Sequence, residues 1–233
     1  LDVAHGRLWV TEVALQGYAF TPAVDWGRSV LLAFNLKTAA VLQRIEGPHG
    51  AALGDMTVTP RGEVIVSDGD GGGVYRLPFD GSTLERLDHG DFISPQTPAL
   101  HPDGQHLFVP DYVRGLAILD MRSGEVQWAP MADRFALNGI DGLYFGHGRL
   151  IATQNGTSPE RVVEFELNGL RQVVAEKIIE RATLGDPTHG VVIGKDFYYI
   201  TNAGWDAIDE HGQLHAGAKL SPARIMRADL DHR

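Results

Sequence analysis

The chain says nearly the same thing four times. Residues 54–77, GDMTVTPRGEVIVSDGDGGGVYRL, run as an apolar stretch, a Pro-x-Gly turn, a β-branched stretch closed by an acid, a glycine-rich turn and a further apolar stretch. The phrase returns from Gln96 (QTPALHPDGQHLFVPDYVRGLAILDM), from Asp141 (DGLYFGHGRLIATQNG, then RVVEFEL) and from His189 (HGVVIGKDFYYITNAG), and a shortened copy opens the chain (LDVAHGRLWVTEVA, then VLLAFNL). The polar residues closing the second apolar stretch are Glu12, Asp68, Asp111, Gln154 and Asn202; the last four lie 43, 43 and 48 residues apart, and the first gap widens to 56. Several short strands repeating every 40–50 residues predict an all-β fold, a β-propeller of four-stranded antiparallel blades. All 233 residues form one such domain.

Turn chemistry agrees, since 28 Gly and 12 Pro suit a fold made of tight reversals. Blade two is expected over residues 55–87 and blade three over 97–128. Blade four should run from 141 to about 176, followed by a short helix in KIIERATLGDP. Blade five starts at His189 and takes 224–230 as its third strand, after a polar loop over 206–222. In the opening blade, 1–3 and 8–11 read as the first two strands, with 30–35 and 41–45 as an outer hairpin. The insertion 13–29 carries Tyr18, Phe20 and Trp26, and serves either as a functional loop or as cover for a neighbouring blade. Five repeats are countable and Leu1 falls inside a strand pattern. The expectation is a six-bladed parent lacking its N-terminal part, with a true five-bladed ring as the alternative.

Charge excludes some partners. A net charge of −10 argues against nucleic acid and against anionic membrane surfaces, and no apolar run approaches 18 residues. With no cysteine, disulfides and thiolate metal sites are impossible. A small-molecule substrate is the expected partner. Neither compartment nor oligomeric state follows from the sequence.

In a propeller the innermost strand of each blade lines the central channel, so residues opening that strand share one mouth. Aligning the repeats on their turns brings Asp55, Thr97, Asp141 and His189 to the same position, preceded by Gly54, Gln96, Ile140 and Thr188. Two carboxylates, an imidazole and neutral oxygen donors would then meet. The strand-closing Glu12, Asp68, Asp111, Gln154 and Asn202, with Asn155 beside them, lie further along the blades. Such oxygens suit a hard cation, and an acid at a strand end equally suits capping of backbone N–H groups.

DMTVTPRGEVIVSD, TPALHPDGQHLFVPD, NGIDGLYFGHGRLIAT and THGVVIGKDFYYITN resemble the blades of the SMP-30/gluconolactonase/luciferin-regenerating-enzyme group of six-bladed propellers. That resemblance implies a divalent cation, usually Ca²⁺, at the channel mouth, and hydrolysis of a lactone or phosphoester there. Its ligands would be a first-blade Glu, blade-opening Asn residues and a catalytic Asp in Pro-Asp-Gly. Here Gly54-Asp55-Met56 stands for Asn-Asp-Gly, so the Asn is replaced. Asn138-Gly139-Ile140-Asp141 keeps its motif, leaving either Asn138 or Asp141 to face the metal. Thr188-His189-Gly190 puts His where the catalytic Asp would be, either as a general base or as a sign of lost chemistry. The resulting candidates are His189 and Asp141 for catalysis, with Asp55, Asn138, Asp141, Asn202 and Glu12 around Ca²⁺. Gln96, Thr97, Thr188 and Asn155 would contact substrate. A non-catalytic propeller that binds a ligand or a protein is the alternative function.

Other motifs carry less. The Asp68–Gly73 glycine run lacks the bidentate Glu of a calcium loop and reads as a turn, and there is no G-x-S-x-G or H-E-x-x-H. His5, His49, His101, His106 and His147 fall at turns or strand starts and read as solvated. His211 and His215 share a polar loop.

Overall fold

A computed structural model describes all residues except 16–20, 131–134, 170–171, 182–184, 210–212 and 232–233. It is an all-β propeller of five antiparallel sheets. Sheet one comprises β1 (Arg7–Ala14), β2 (Arg28–Asn35) and β3 (Val41–Glu46). Sheet two comprises β4 (Leu53–Val58), β5 (Val64–Asp68), β6 (Gly73–Leu77) and β7 (Glu85–Arg86). Sheet three follows with β8 (Ala99–Leu100), β9 (His106–Asp111), β10 (Gly115–Asp120) and β11 (Val126–Trp128). Sheet four has β12 (Ile140–Gly146), β13 (Arg149–Gln154), β14 (Arg161–Asn168) and β15 (Gln172–Arg181). Sheet five has β16 (Gly190–Ile193), β17 (Asp196–Thr201) and β18 (Arg224–Asp229). Among the described residues the helical content is two 3₁₀ turns, Ala23–Asp25 and Trp205–Ala207. Among the described residues no helix is long and apolar enough to cross a membrane.

The middle strands read as near-continuous apolar runs because both faces are covered. All of Val64–Asp68 is buried, and Leu107–Asp111 is buried in the same way. Each sheet packs on the next through a shared apolar cluster. Trp9, Leu31 and Ala33 meet Val64 and Leu77 between sheets one and two, and Ile65 and Val74 meet Leu107 and Val109 between two and three. Phe108 and Ile118 meet Leu143 and Val163 between three and four, and Ile151 and Val162 meet Phe197 and Tyr199 between four and five. Among the described residues no buried apolar cluster joins sheet five to sheet one. The face of sheet five turned away from sheet four carries Val191, Ile193 and Ile225 in the open.

Three expectations about elements are corrected. Residues 1–3 form no strand; Asp2 makes only an isolated bridge to Arg7, and the first blade starts at β1. The helix expected after residue 176 is replaced by strand: KIIER continues β15 and pairs with Arg161–Glu164 across a register shift. Its β-branched Ile178 and Ile179 favour that extended state, while 182–184 lie outside the described residues. In the insertion, Trp26 is exposed and donates its indole N–H to Thr21 O rather than covering a blade; Tyr18 and Phe20 lie outside the described residues.

Candidate functional site at the channel mouth

Two irregularities aim the key carboxylates. In β4 the ladder runs Leu53↔Asp68 and then Met56↔Val66, so Gly54 and Asp55 face the single residue Ser67. In β12 it runs Ile140↔Gln154 and then Gly142↔Thr153, leaving Asp141 as the extra residue. Each is a β-bulge, which bends the strand and re-aims the side chain at the break. Hydroxyls on the second strand secure both. Ser67 Oγ donates to Asp55 O (3.2 Å), and Thr153 Oγ1 accepts the Gly142 N–H (2.8 Å).

The bulged residues meet their counterparts from sheets three and five. Thr97 Oγ1 donates to Asp55 Oδ2 (2.8 Å) and stands 3.1 Å from the Asp141 carbonyl, so one hydroxyl ties sheets two, three and four. His189 Nδ1 lies 3.3 Å from Asp55 Oδ1; the imidazole is half exposed, while the Asp55 side chain keeps only 15% of its surface. On the far side Asn155 Nδ2 donates to Asp141 Oδ2 (2.9 Å), and Tyr112 Oη donates to Asn155 Oδ1 (3.0 Å). Beneath them the Gly190 N–H donates to Tyr144 Oη (2.6 Å), and burial pushes that phenol well above its ordinary pKa.

A cavity of about 500 Å³ opens above this group, lined by Asp55, Gln96, Asp141, Asn155, Thr188 and His189 among others. Among the described residues five carboxylates line it (Asp55, Asp70, Asp141, Glu160 and Asp186), against one imidazole and no Lys or Arg. Below lies a second space of about 330 Å³ between the inner strands, and Thr97 lines it. Burial pushes Asp55 up to about 6. His189 and the Thr97 hydroxyl pull the other way, and the neighbouring Asp141 charge adds to the rise.

The remaining candidates go elsewhere. Asn138 is exposed and presents its backbone carbonyl to Gln154, so of the pair Asn138 and Asp141 it is Asp141 that faces the cavity. Glu12 lines a separate depression with Thr21, Asp25 and Arg28. Asn202 donates its amide to Pro222 O (3.0 Å). Three of the strand-closing residues, Asp68, Asp111 and Gln154, clip loops to the blades. Asp111 is fully buried and accepts four backbone N–H groups, from Ile93, Ser94, Val113 and Arg114 (2.7–3.0 Å). Asp68 accepts from Ala52, Asp70 and Gly71. Gln154 reverses the polarity, donating to Ala136 O and Asn138 O.

Sequence reasoning missed Tyr112 and the bulge-securing hydroxyls. A signal for the latter exists: the residue just before the closing position is Thr11, Ser67, Thr153 and Thr201 in four of the five repeats.

The three carboxylate and imidazole groups at the mouth are not drawn into a tight three-ligand cluster. Their donor set suits a loosely held hard cation: two carboxylates, Asp55 and Asp141, with no permanent positive charge against them and room for water.

No protein-family model matches the chain, and no curated protein matches it by sequence. Solved structures match in shape. An oxidoreductase (glucose dehydrogenase) of Thermus thermophilus superposes with a TM-score of 0.64 at 17% identity, covering 97% of this chain and 79% of the other. A propeller in a nidogen/laminin complex gives 0.63 at 14% identity, covering 84% and 71%. A gluconolactonase of Xanthomonas campestris gives 0.54 at 20% identity, covering 74% of this chain and 65% of that protein. What these proteins share with the chain is the β-propeller fold.

Proposed function

We propose that the chain is a hydrolase acting on a lactone or other small ester at the channel mouth. The observation that carries this is the Asp55–His189 pair: a carboxylate pushed to about 6, in contact with a solvent-reachable imidazole inside a substrate-sized cavity. His189 is the general base and Asp55 its positioning partner, holding the ring and stabilising the imidazolium. Water loses a proton to His189 as its oxygen bonds to the carbonyl carbon. The proton then passes to the departing alkoxide as the C–O bond breaks. Asp141 and Asp55 would hold a divalent cation such as Ca²⁺, which when bound would polarise the carbonyl. A gluconolactonase among the structural neighbours agrees with this reaction class.

The test is a panel of lactones and aryl esters, with and without EDTA. Turnover is expected, with His189→Ala lowering kcat by about 10²-fold or more. Absence of turnover across the panel overturns the proposal. The acid-lined cavity favours a second reading, a non-catalytic module binding a cationic ligand. That reading predicts binding of a small cationic ligand to the parent protein without any hydrolysis.

A further inference from the structure

At the other end of the inner strand that starts from Thr97, the chain reverses through His101-Pro-Asp103-Gly-Gln-His106, between β8 and β9. The Asp103 carboxylate is divided between two tasks. Its Oδ1 accepts the backbone N–H groups of Gln105 (2.8 Å) and His106 (3.0 Å), which holds the turn. Its Oδ2 is left for two rings: His101 Nδ1 stands 3.0 Å away and His106 Nδ1 2.7 Å away. Among the described residues this is the one group of three His, Cys, Asp or Glu whose ligand atoms all lie within 4.8 Å of one another. All three side chains keep between 21% and 30% of their surface, so an ion could enter and retain water.

Both rings turn Nδ1 towards that carboxylate oxygen. The Asp103 backbone N–H donates to His101 Nδ1 (3.2 Å), a long contact that an ion would replace. The same nitrogen lies 3.0 Å from carboxylate Oδ2. Ligands at 2.0–2.1 Å from one ion stand about 3.3 Å apart across a tetrahedral edge, close to the 3.0 Å and 2.7 Å separations here, so an ion can replace these contacts with little movement. The His101 ring is held from behind, edge-on to Phe108 with centroids 5.2 Å apart and tilted against Phe145 at 6.3 Å. Asp120 Oδ2 lies 3.7 Å from His106 Nε2, on the ring's other nitrogen.

We infer that His101, Asp103 and His106 form a binding site for a divalent transition cation of the Zn²⁺ class, separate from the channel mouth. Two imidazoles and one carboxylate favour Zn²⁺, Co²⁺ or Ni²⁺ over Ca²⁺. The ion pins the β8–β9 turn and keeps at least one coordination position for water.

Isothermal titration of the intact chain with Zn²⁺ tests this, using as parent a His211→Ala/His215→Ala background that removes the other histidine pair. One equivalent should bind, millimolar Ca²⁺ should not compete, and His101→Ala and His106→Ala should each weaken binding more than about 10-fold. Asp103→Asn keeps an oxygen for the two turn N–H groups, so it should stay folded by circular dichroism and still lose affinity. His189→Ala should bind as the parent does. The inference falls if that parent takes up no Zn²⁺, if His106→Ala binds as tightly as the parent, or if the site is lost with His189 instead.

Discussion

Asp55 concentrates the electrostatics of the mouth in one side chain. Its folded pKa of about 6 lies above the ordinary 3.8, so the folded state holds this proton more tightly than the unfolded chain does. The associated stability is fully present below pH 3.8 and is lost as pH rises through about 6. The gap corresponds to about 3 kcal/mol at most. Asp55→Asn should remove this slope: relative to the parent, the variant gains stability at pH 7 over pH 4.5, read from urea midpoints at each pH. An unchanged difference between the two pH values would show that Asp55 carries no such strain. The leading positions Asp55, Thr97, Asp141 and His189 were legible in the repeat phase. The bulges that aim two of them were not, because an extra residue shows only against a paired strand. The Gly54 and His189 departures from the resembled motifs were also visible, and the structure joins the second of them to Asp55.

At the level of strands and turns, a polar residue closing the second strand ties a loop to blades two, three and four. Asp111 does this for four buried backbone donors at once. Leaving a buried donor unpaired costs about 1–3 kcal/mol each, so Asp111→Ala should destabilise by at least about 3 kcal/mol in urea unfolding. A loss under about 1 kcal/mol would mean that water replaces the carboxylate. The sequence could not tell clips from ligands, since Asp111 and Asp141 are the same residue type recurring with the same period. Their difference lies in direction: one points into a loop, the other into the cavity. The helix expected over KIIER failed for a related reason. The stretch is an outer strand, where pairing with β14 and the β-branched Ile178 and Ile179 both favour the extended state.

Across the whole molecule the apolar clusters run unbroken from sheet one to sheet five. Phe197 sits fully buried at the end of that run, against Tyr144 and Tyr199, whereas Ile225 on the opposite face of the same sheet is 76% exposed. Phe197→Ala should therefore cost about 3–5 kcal/mol, and Ile225→Lys no more than about 0.5 kcal/mol, both measured by chemical denaturation. Equal losses would mean that both faces of sheet five are packed. The propeller class and its repeat count could be read from spacing alone, while the unequal packing of the two faces of sheet five needed coordinates. The polar groups at the mouth come from blades two to five, and Val13 and Leu15 of the first blade line the same cavity as Trp205. The rim of the cavity thus draws on both the first and the fifth blade, which share no buried apolar cluster among the described residues.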